Sequence, residues 1–231
     1  NAGDRLTKQI KNYLYSPDGQ IGKGFTSQVF RGAIDIHTGT NITTDEPVAI
    51  KVIDTRGNKT EVEHMLLRNE IKALKMMTQE NVVHTYEVCQ TANNVYMIGE
   101  LAKGDLGALI KEKGTKQTYV GAIKEDEALK IFKQILQGLQ HIHSKGVIHR
   151  DIKSANILLK KGTPKIADFG FAEFANERQG GGYNVGSPLY MSPEAYRKSQ
   201  YSEKSDCWAA GIILYEMLMV SNHSKALTTI Q

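Results

Sequence analysis

"VIHRDIKSANILL", residues 147 to 159, sets Arg150, Asp151, Lys153 and Asn156 between apolar residues that ask to be buried. A chain that brings carboxylate, ammonium and amide groups next to a core must give them partners or a task, because an unpaired polar group out of water costs a few kcal/mol. A second carboxylate, Asp168, follows the short apolar run in "KIADFGF", residues 165 to 171. A carboxylate and an amide oxygen brought to a second carboxylate are hard-oxygen donors. They suit a magnesium ion that keeps some of its waters and bridges phosphates. Asn156 and Asp168 are the ligand candidates. Asp151 is left to orient, or take a proton from, an attacking hydroxyl, and Lys153 to meet charge on a transferred group. The bland alternative is a polar turn that caps two strands.

Outward from this stretch, the character of the chain changes near residue 100. Upstream, "QIGKGFTSQVFRGAIDI" (20–36), "PVAIKVI" (47–53), "VVHTYEV" (82–88) and "NVYMIGEL" (94–101) carry β-branched and aromatic residues between turn signals and predict an antiparallel sheet. One helical run interrupts them, "TEVEHMLLRNEIKALKMM" (60–77), in which Val62, Leu66, Ile71 and Leu74 can share a face. Downstream, residues 125–143 form a long amphipathic helix, and 202–219 a more apolar and so more buried one. Strands early and helices late predict an α+β protein of two lobes, 1–101 and 102–231, with a hinge near 100–104.

Composition limits the alternatives. With 231 residues, 40% hydrophobic and 23% charged, the chain can bury one large core or two small ones. The net charge of +4 is spread among acids rather than gathered in a block, so no nucleic-acid partner is expected. Cys89 and Cys207 lack metal-ligand spacing, which points to a reducing, cytoplasmic setting. The longest apolar stretch, 207–220, contains Glu216 and is short for a bilayer, so no membrane insertion is expected. The chain opens on Asn1 without a charged and then apolar leader.

Other candidate positions are each ambiguous alone. Gly22, Gly24 and Ser27, followed by Val29, form a turn of small residues that lets backbone N–H groups approach a phosphate, or simply a hairpin turn. Lys51 in an apolar strand needs an anion, or snorkels from the strand's edge. Glu70 on the following helix is its candidate partner, or an exposed helix carboxylate.

Taken together, "GKGFTSQV", "VAIK", "HRDIKSANILL", "DFG" and "SPE" occur in the order of the protein-kinase signature set, and residues 15 to 220 resemble a serine/threonine protein kinase domain. The resemblance implies a sheet-based N-lobe with one helix and a larger helical C-lobe, and transfer of the γ-phosphoryl group of ATP, with Mg2+, to Ser or Thr of a protein substrate. It assigns Gly22, Gly24 and Ser27 to the phosphates and Val29, Ala49 and Leu158 to the adenine walls. Gly99, Glu100 and Ala102 fall at the adenine edge. Lys51 would hold the α- and β-phosphates and pair with Glu70, with Asp151 as base, Lys153 at the γ-phosphate and Asn156 and Asp168 on the metal. Asp206 resembles the buried helix aspartate that bonds the catalytic loop, while Leu74, His149 and Phe169 resemble an apolar stack. The substrate class follows from Lys153 and from Ser187 in "GSPLYMSPE"; together with "KIADFGFA" this is similar to the unc-51-like, autophagy-initiating group.

Departures from the family pattern carry expectations of their own. Ser27 replaces the third glycine, Phe25 takes over the tip aromatic and Thr26 holds its usual place. Gly99, where a larger residue is usual, implies a back cavity that admits bulky adenine analogues. Ala155 in place of Glu weighs against a strong preference for Arg upstream of the acceptor. Arg150 before the catalytic Asp implies a phosphate on the activation segment, yet the usual Thr position holds Tyr183, so either Tyr183 is phosphorylated or the segment is ordered without phosphate. The chain runs to "VSNHSKALTTIQ" without the last helices of the family pattern or the Arg that would pair with Glu194, so an incomplete C-lobe is expected, with Glu194 either buried and unpaired or left open to water. A nucleotide-binding signalling scaffold and an inactive truncated fragment remain as alternatives to an active enzyme.

Overall fold

Alternation in "VAIKVID" builds the first half of the molecule. In strand β4 (Val48–Asp54), Val48 and Ile50 are buried while Ala49 and Lys51 face the other way and are half-buried. The computed structural model describes residues 8–23, 27–34, 47–57, 59–115, 123–177 and 184–219. They form two compact units, residues 1–61 with 84–101 and residues 62–83 with 102–231.

The first unit is a six-stranded antiparallel sheet in the order β1-β2-β3-β4-β6-β5. Its other strands are β1 (Lys8–Ile10), β2 (Tyr13–Lys23), β3 (Ser27–Ile34), β5 (Thr85–Gln90) and β6 (Asn94–Glu100). One face carries a core of Tyr15, Val48, Ile50, Cys89 and Ile98. The register sets Lys51 opposite both Val29 and Met97, Ala49 opposite Gly99, and Gly22 opposite Val29. Directly paired residues share a face of a pleated sheet, so these candidates line the face away from that core. Strand β2 begins well before Gln20, where the sequence pattern starts. Ser16, Pro17, Asp18 and Gly19 lie where the β2–β3 register shifts, an irregularity that such residues suit.

The helix α1 (Glu61–Met76) falls almost wholly in the second unit. That unit continues through β7 (Gly104–Asp105), α2 (Leu106–Thr115), α3 (Glu125–Ser144) and β8 (Val147–Ile148). The hairpin β9 (Ile157–Lys160) and β10 (Thr163–Ile166) follows, then β11 (Glu173–Phe174), α4 (Pro193–Lys198) and α5 (Glu203–Leu218). On α3, Ala128, Ile131, Ile135, Leu139 and Ile142 recur at helical spacing and are buried. The three acids Glu125, Asp126 and Glu127 in its first turn complement the helix dipole. Among the described residues, no helix is long and apolar enough to cross a membrane. The antiparallel sheet with one helix, followed by a helical part, is the α+β architecture the sequence implies.

Candidate active site

A buried carboxylate organises the loop after β8. Asp206, in the first turn of α5, accepts from the backbone N–H of His149 at 2.9 Å and of Arg150 at 3.0 Å, and contacts His143 Nε2 at 2.9 Å. Arg150 needs this hold, because its φ of +66° is a left-handed conformation that costs about 1–3 kcal/mol outside glycine. Two hydrogen bonds to a charged acceptor, about 1.5–3 kcal/mol each, outweigh that strain. His149 is locked from both sides. Its Nδ1 accepts from Asp151 N–H at 3.3 Å, so the proton sits on Nε2, which donates to the Ala167 carbonyl at 3.1 Å. Its ring lies 5.0 Å from that of fully buried Phe169, and Leu74 is buried on α1.

The polar residues of the opening stretch converge on Asp151. Lys153 Nζ donates to Asp151 Oδ2 at 2.7 Å and to Ser187 Oγ at 3.0 Å, while Ser187 donates to Asp151 Oδ1 at 2.9 Å. Asn156 Nδ2 donates to the Asp151 carbonyl at 2.8 Å and to Oδ2 at 3.0 Å. Ser187 reaches this group because Gly186, at φ +100°, passes so close to the Arg150 carbonyl that a Cβ would collide with it. A carboxylate offers about four lone-pair sites. Lys153 and Asn156 use those of Oδ2 and Ser187 one of Oδ1, which leaves one on Oδ1 for another hydroxyl.

The β9–β10 hairpin brings the metal-ligand candidates to its open end. Its loop, Lys161 and Gly162, has positive φ at both positions, as a two-residue hairpin turn of this hand requires. At the other end Ala167 N–H bonds the Asn156 carbonyl at 2.9 Å, so Asp168 stands one residue beyond Asn156's partner. Asp168 is exposed, with φ +64°. Both of these Asn156 side-chain bonds leave from Nδ2, so Oδ1 is the atom that could ligate. A carboxylate and an amide oxygen fit magnesium completed by waters and phosphate oxygens. Glu70 is buried on α1, and a Cβ at Gly170 would stand 3.9 Å from its Oε2 and 3.3 Å from Asp168 Oδ1. Its carboxylate therefore borders the "DFG" turn. Leu158 is half-buried on β9, paired with Asp105 of β7.

In the first unit, Gly22, Val29, Ala49, Lys51 and Gly99 share the sheet face described above, and Ser27 opens β3 opposite Ile53. Glu100 is buried and its carboxylate accepts from His84 N–H at 2.8 Å. Ala102 begins the second unit's final segment. Gly24, with Phe25 and Thr26, and Tyr183 lie outside the described residues. At Gly99, where a back cavity is expected, a Cβ would lie 2.9 Å from the His84 carbonyl oxygen, so backbone crowds the start of any side chain there. Of the two outcomes expected for Glu194, the structure gives the open one: it is half-exposed in the first turn of α4, and its bond with Ser192 holds the carboxyl below its usual range.

The carboxylate with one unmatched buried oxygen is Glu216. Ser154 Oγ contacts Tyr190 Oη at 3.0 Å, Tyr190 donates to Glu216 Oε1 at 2.7 Å, and buried Oε2 has no hydrogen-bond partner among the described residues. Burial first, and the Glu216 charge second, push the Tyr190 phenol above its usual range. Sequence reading passed over this chain of groups; the signal available was a Glu inside the apolar run 207–220.

The protein kinase domain model matches residues 15–229, and the chain belongs to that family. It is 35% identical over 224 residues to serine/threonine-protein kinase atg1 of Dictyostelium discoideum, covering 92% of this chain and 31% of that protein. It is 34% identical over 225 residues to serine/threonine-protein kinase ULK1 of Homo sapiens, covering 92% and 20%. Against SNF1-related protein kinase catalytic subunit alpha KIN12 of Arabidopsis thaliana, identity is 31% over 219 residues, covering 94% and 42%. The chain thus spans less than half the length of these relatives.

Proposed function

We propose that this chain is a serine/threonine protein kinase domain that transfers the γ-phosphoryl group of ATP to a protein hydroxyl, with Mg2+ as cofactor. The observation that carries this reading is the trio Asp151, Lys153 and Ser187, closed by three hydrogen bonds of 2.7 to 3.0 Å. Asp151 orients the acceptor hydroxyl through the remaining lone pair of Oδ1 and takes its proton as the O–P bond forms. Lys153, already within reach of both partners, places positive charge where the transferred group develops negative charge. Bound magnesium would supply charge neutralisation between the phosphates, and Asn156 and Asp168 would hold it. Lys51 and the sheet face with Gly22, Val29 and Ala49 would hold the nucleotide, Glu70 would pair with Lys51, and Glu100 and Ala102 would meet the adenine edge.

The test is transfer of labelled γ-phosphate onto peptides presenting Ser, Thr or Tyr, with magnesium titrated, by wild type and Asp168→Asn. The expected result is magnesium-dependent labelling of Ser and Thr, reduced at least about a hundredfold in the variant. Labelling of Tyr alone would overturn the specificity. A folded chain that binds magnesium-ATP without transfer would point to the scaffold reading.

A further inference from the structure

The guanidinium of Arg150 is already engaged. Its side chain is 3% exposed; Nε donates to the Phe171 carbonyl at 2.6 Å, Nη1 lies 3.6 Å from Glu173 Oε2, and the Tyr201 ring sits 5.5 Å away. Glu173 belongs to β11, which pairs with β8 in the register Glu173 to Ile148, Phe174 to Val147. The carboxylate therefore comes from the strand that runs beside the entry to the Asp151 loop. The same short segment is fastened at a second point. Lys72 of α1 pairs with Glu177 and sits 3.9 Å over the ring of buried Phe174.

Arg150 and Lys72 are two basic groups that flank one short segment, and a phosphate would be drawn to either. Here carboxylates of residues 173–177 meet both. The two pairs are unequal: Lys72 and Glu177 are each half-exposed, where an ion pair is screened and weak, whereas Arg150 and Glu173 are sheltered. A phosphate brought to Arg150 would add its charge beside that of Glu173, so it would have to displace the carboxylate before it gained anything.

We propose that Glu173 is the built-in counter-ion of Arg150, a positioning residue that sets the loop carrying Asp151 without a phosphate on the segment that follows. Its catalytic consequence rests on the kinase reading above; its structural consequence does not. The full chain, phosphatase-treated and shown by mass spectrometry to carry no phosphate, is compared with Glu173→Gln and Glu173→Asp by amide hydrogen exchange and by peptide phosphorylation. Expected is protection of residues 146–149 and 172–175 in phosphate-free wild type, loss of it by about tenfold or more in the Gln variant, and recovery in the Asp variant. Transfer by the Gln variant, expressed per molecule of protein titrated as able to bind magnesium-ATP, should fall in kcat by about tenfold with KM for ATP little changed, whereas general unfolding would lower the titrated fraction and leave the rate per active molecule unchanged. Equal protection in wild type and Glu173→Gln, or loss of protection in wild type on removing phosphate, would overturn the proposal. Should no form transfer phosphate while the exchange pattern holds, the proposal stands and the catalytic reading falls.

Discussion

Asp206 does at residue scale what a turn sequence cannot do alone: it fixes two consecutive N–H groups and so holds Arg150 at positive φ. Gly99 is the converse, a position defined by what crowds it. The His84 backbone that a Cβ would meet is pinned by Glu100, whose N–H donates to the His84 carbonyl at 3.1 Å and whose carboxylate accepts from His84 N–H. The carbonyl cannot easily retreat. Gly99→Ala is expected to destabilise the chain by about 1–3 kcal/mol, read as a lowered urea midpoint. An unchanged midpoint would show that the strand gives way. From sequence, a glycine and a hole look alike; only the path of β5 separates them.

At the scale of elements, the contact between the turn at 188–190 and α5 runs through Tyr190 and Glu216. Because the folded-state phenol is raised, its contribution to stability is complete below the ordinary tyrosine range near pH ~10 and is lost as pH rises beyond it. Tyr190→Phe is expected to cost about 1–3 kcal/mol at neutral pH, since Glu216 Oε1 loses its donor. The gap between wild type and variant should then shrink from pH ~9 to ~11, measured by urea unfolding at each pH. Tyr15, whose phenol burial pushes up to about 12, is present in both and cancels. A gap that stays constant or widens would contradict the account.

Elements with their own pattern were readable: β4 by alternation, α1 and α3 by helical spacing, and α5 by the length of its apolar run. The two-residue strands β7, β8 and β11 were not, because so short a run has no period and exists only through its partner. The Tyr190 to Glu216 bond joins residues 26 apart in the chain, and the Glu194 environment depends on how α4 is capped. Neither leaves a local mark.

On the scale of the whole molecule, the candidate residues divide between the two units. The sheet unit carries Gly22, Ser27, Val29, Ala49, Lys51, Gly99 and Glu100. The helical unit carries Glu70, Ala102, Arg150, Asp151, Lys153, Asn156, Leu158, Asp168 and Ser187. The order of these groups along the chain was legible because each must carry a particular functional group at a particular turn; the mutual hydrogen bonds of Asp151, Lys153 and Ser187 were not, since Ser187 arrives from 36 residues away. The most direct measurement is single-turnover transfer from labelled ATP to a serine peptide by wild type and by Asp151→Asn, with magnesium-ATP binding measured on both. Asn keeps the shape of the side chain and removes the proton acceptor. The expected result is equal binding and a rate about a hundredfold or more lower in the variant. Equal rates would contradict the role given to Asp151, and with it the central claim.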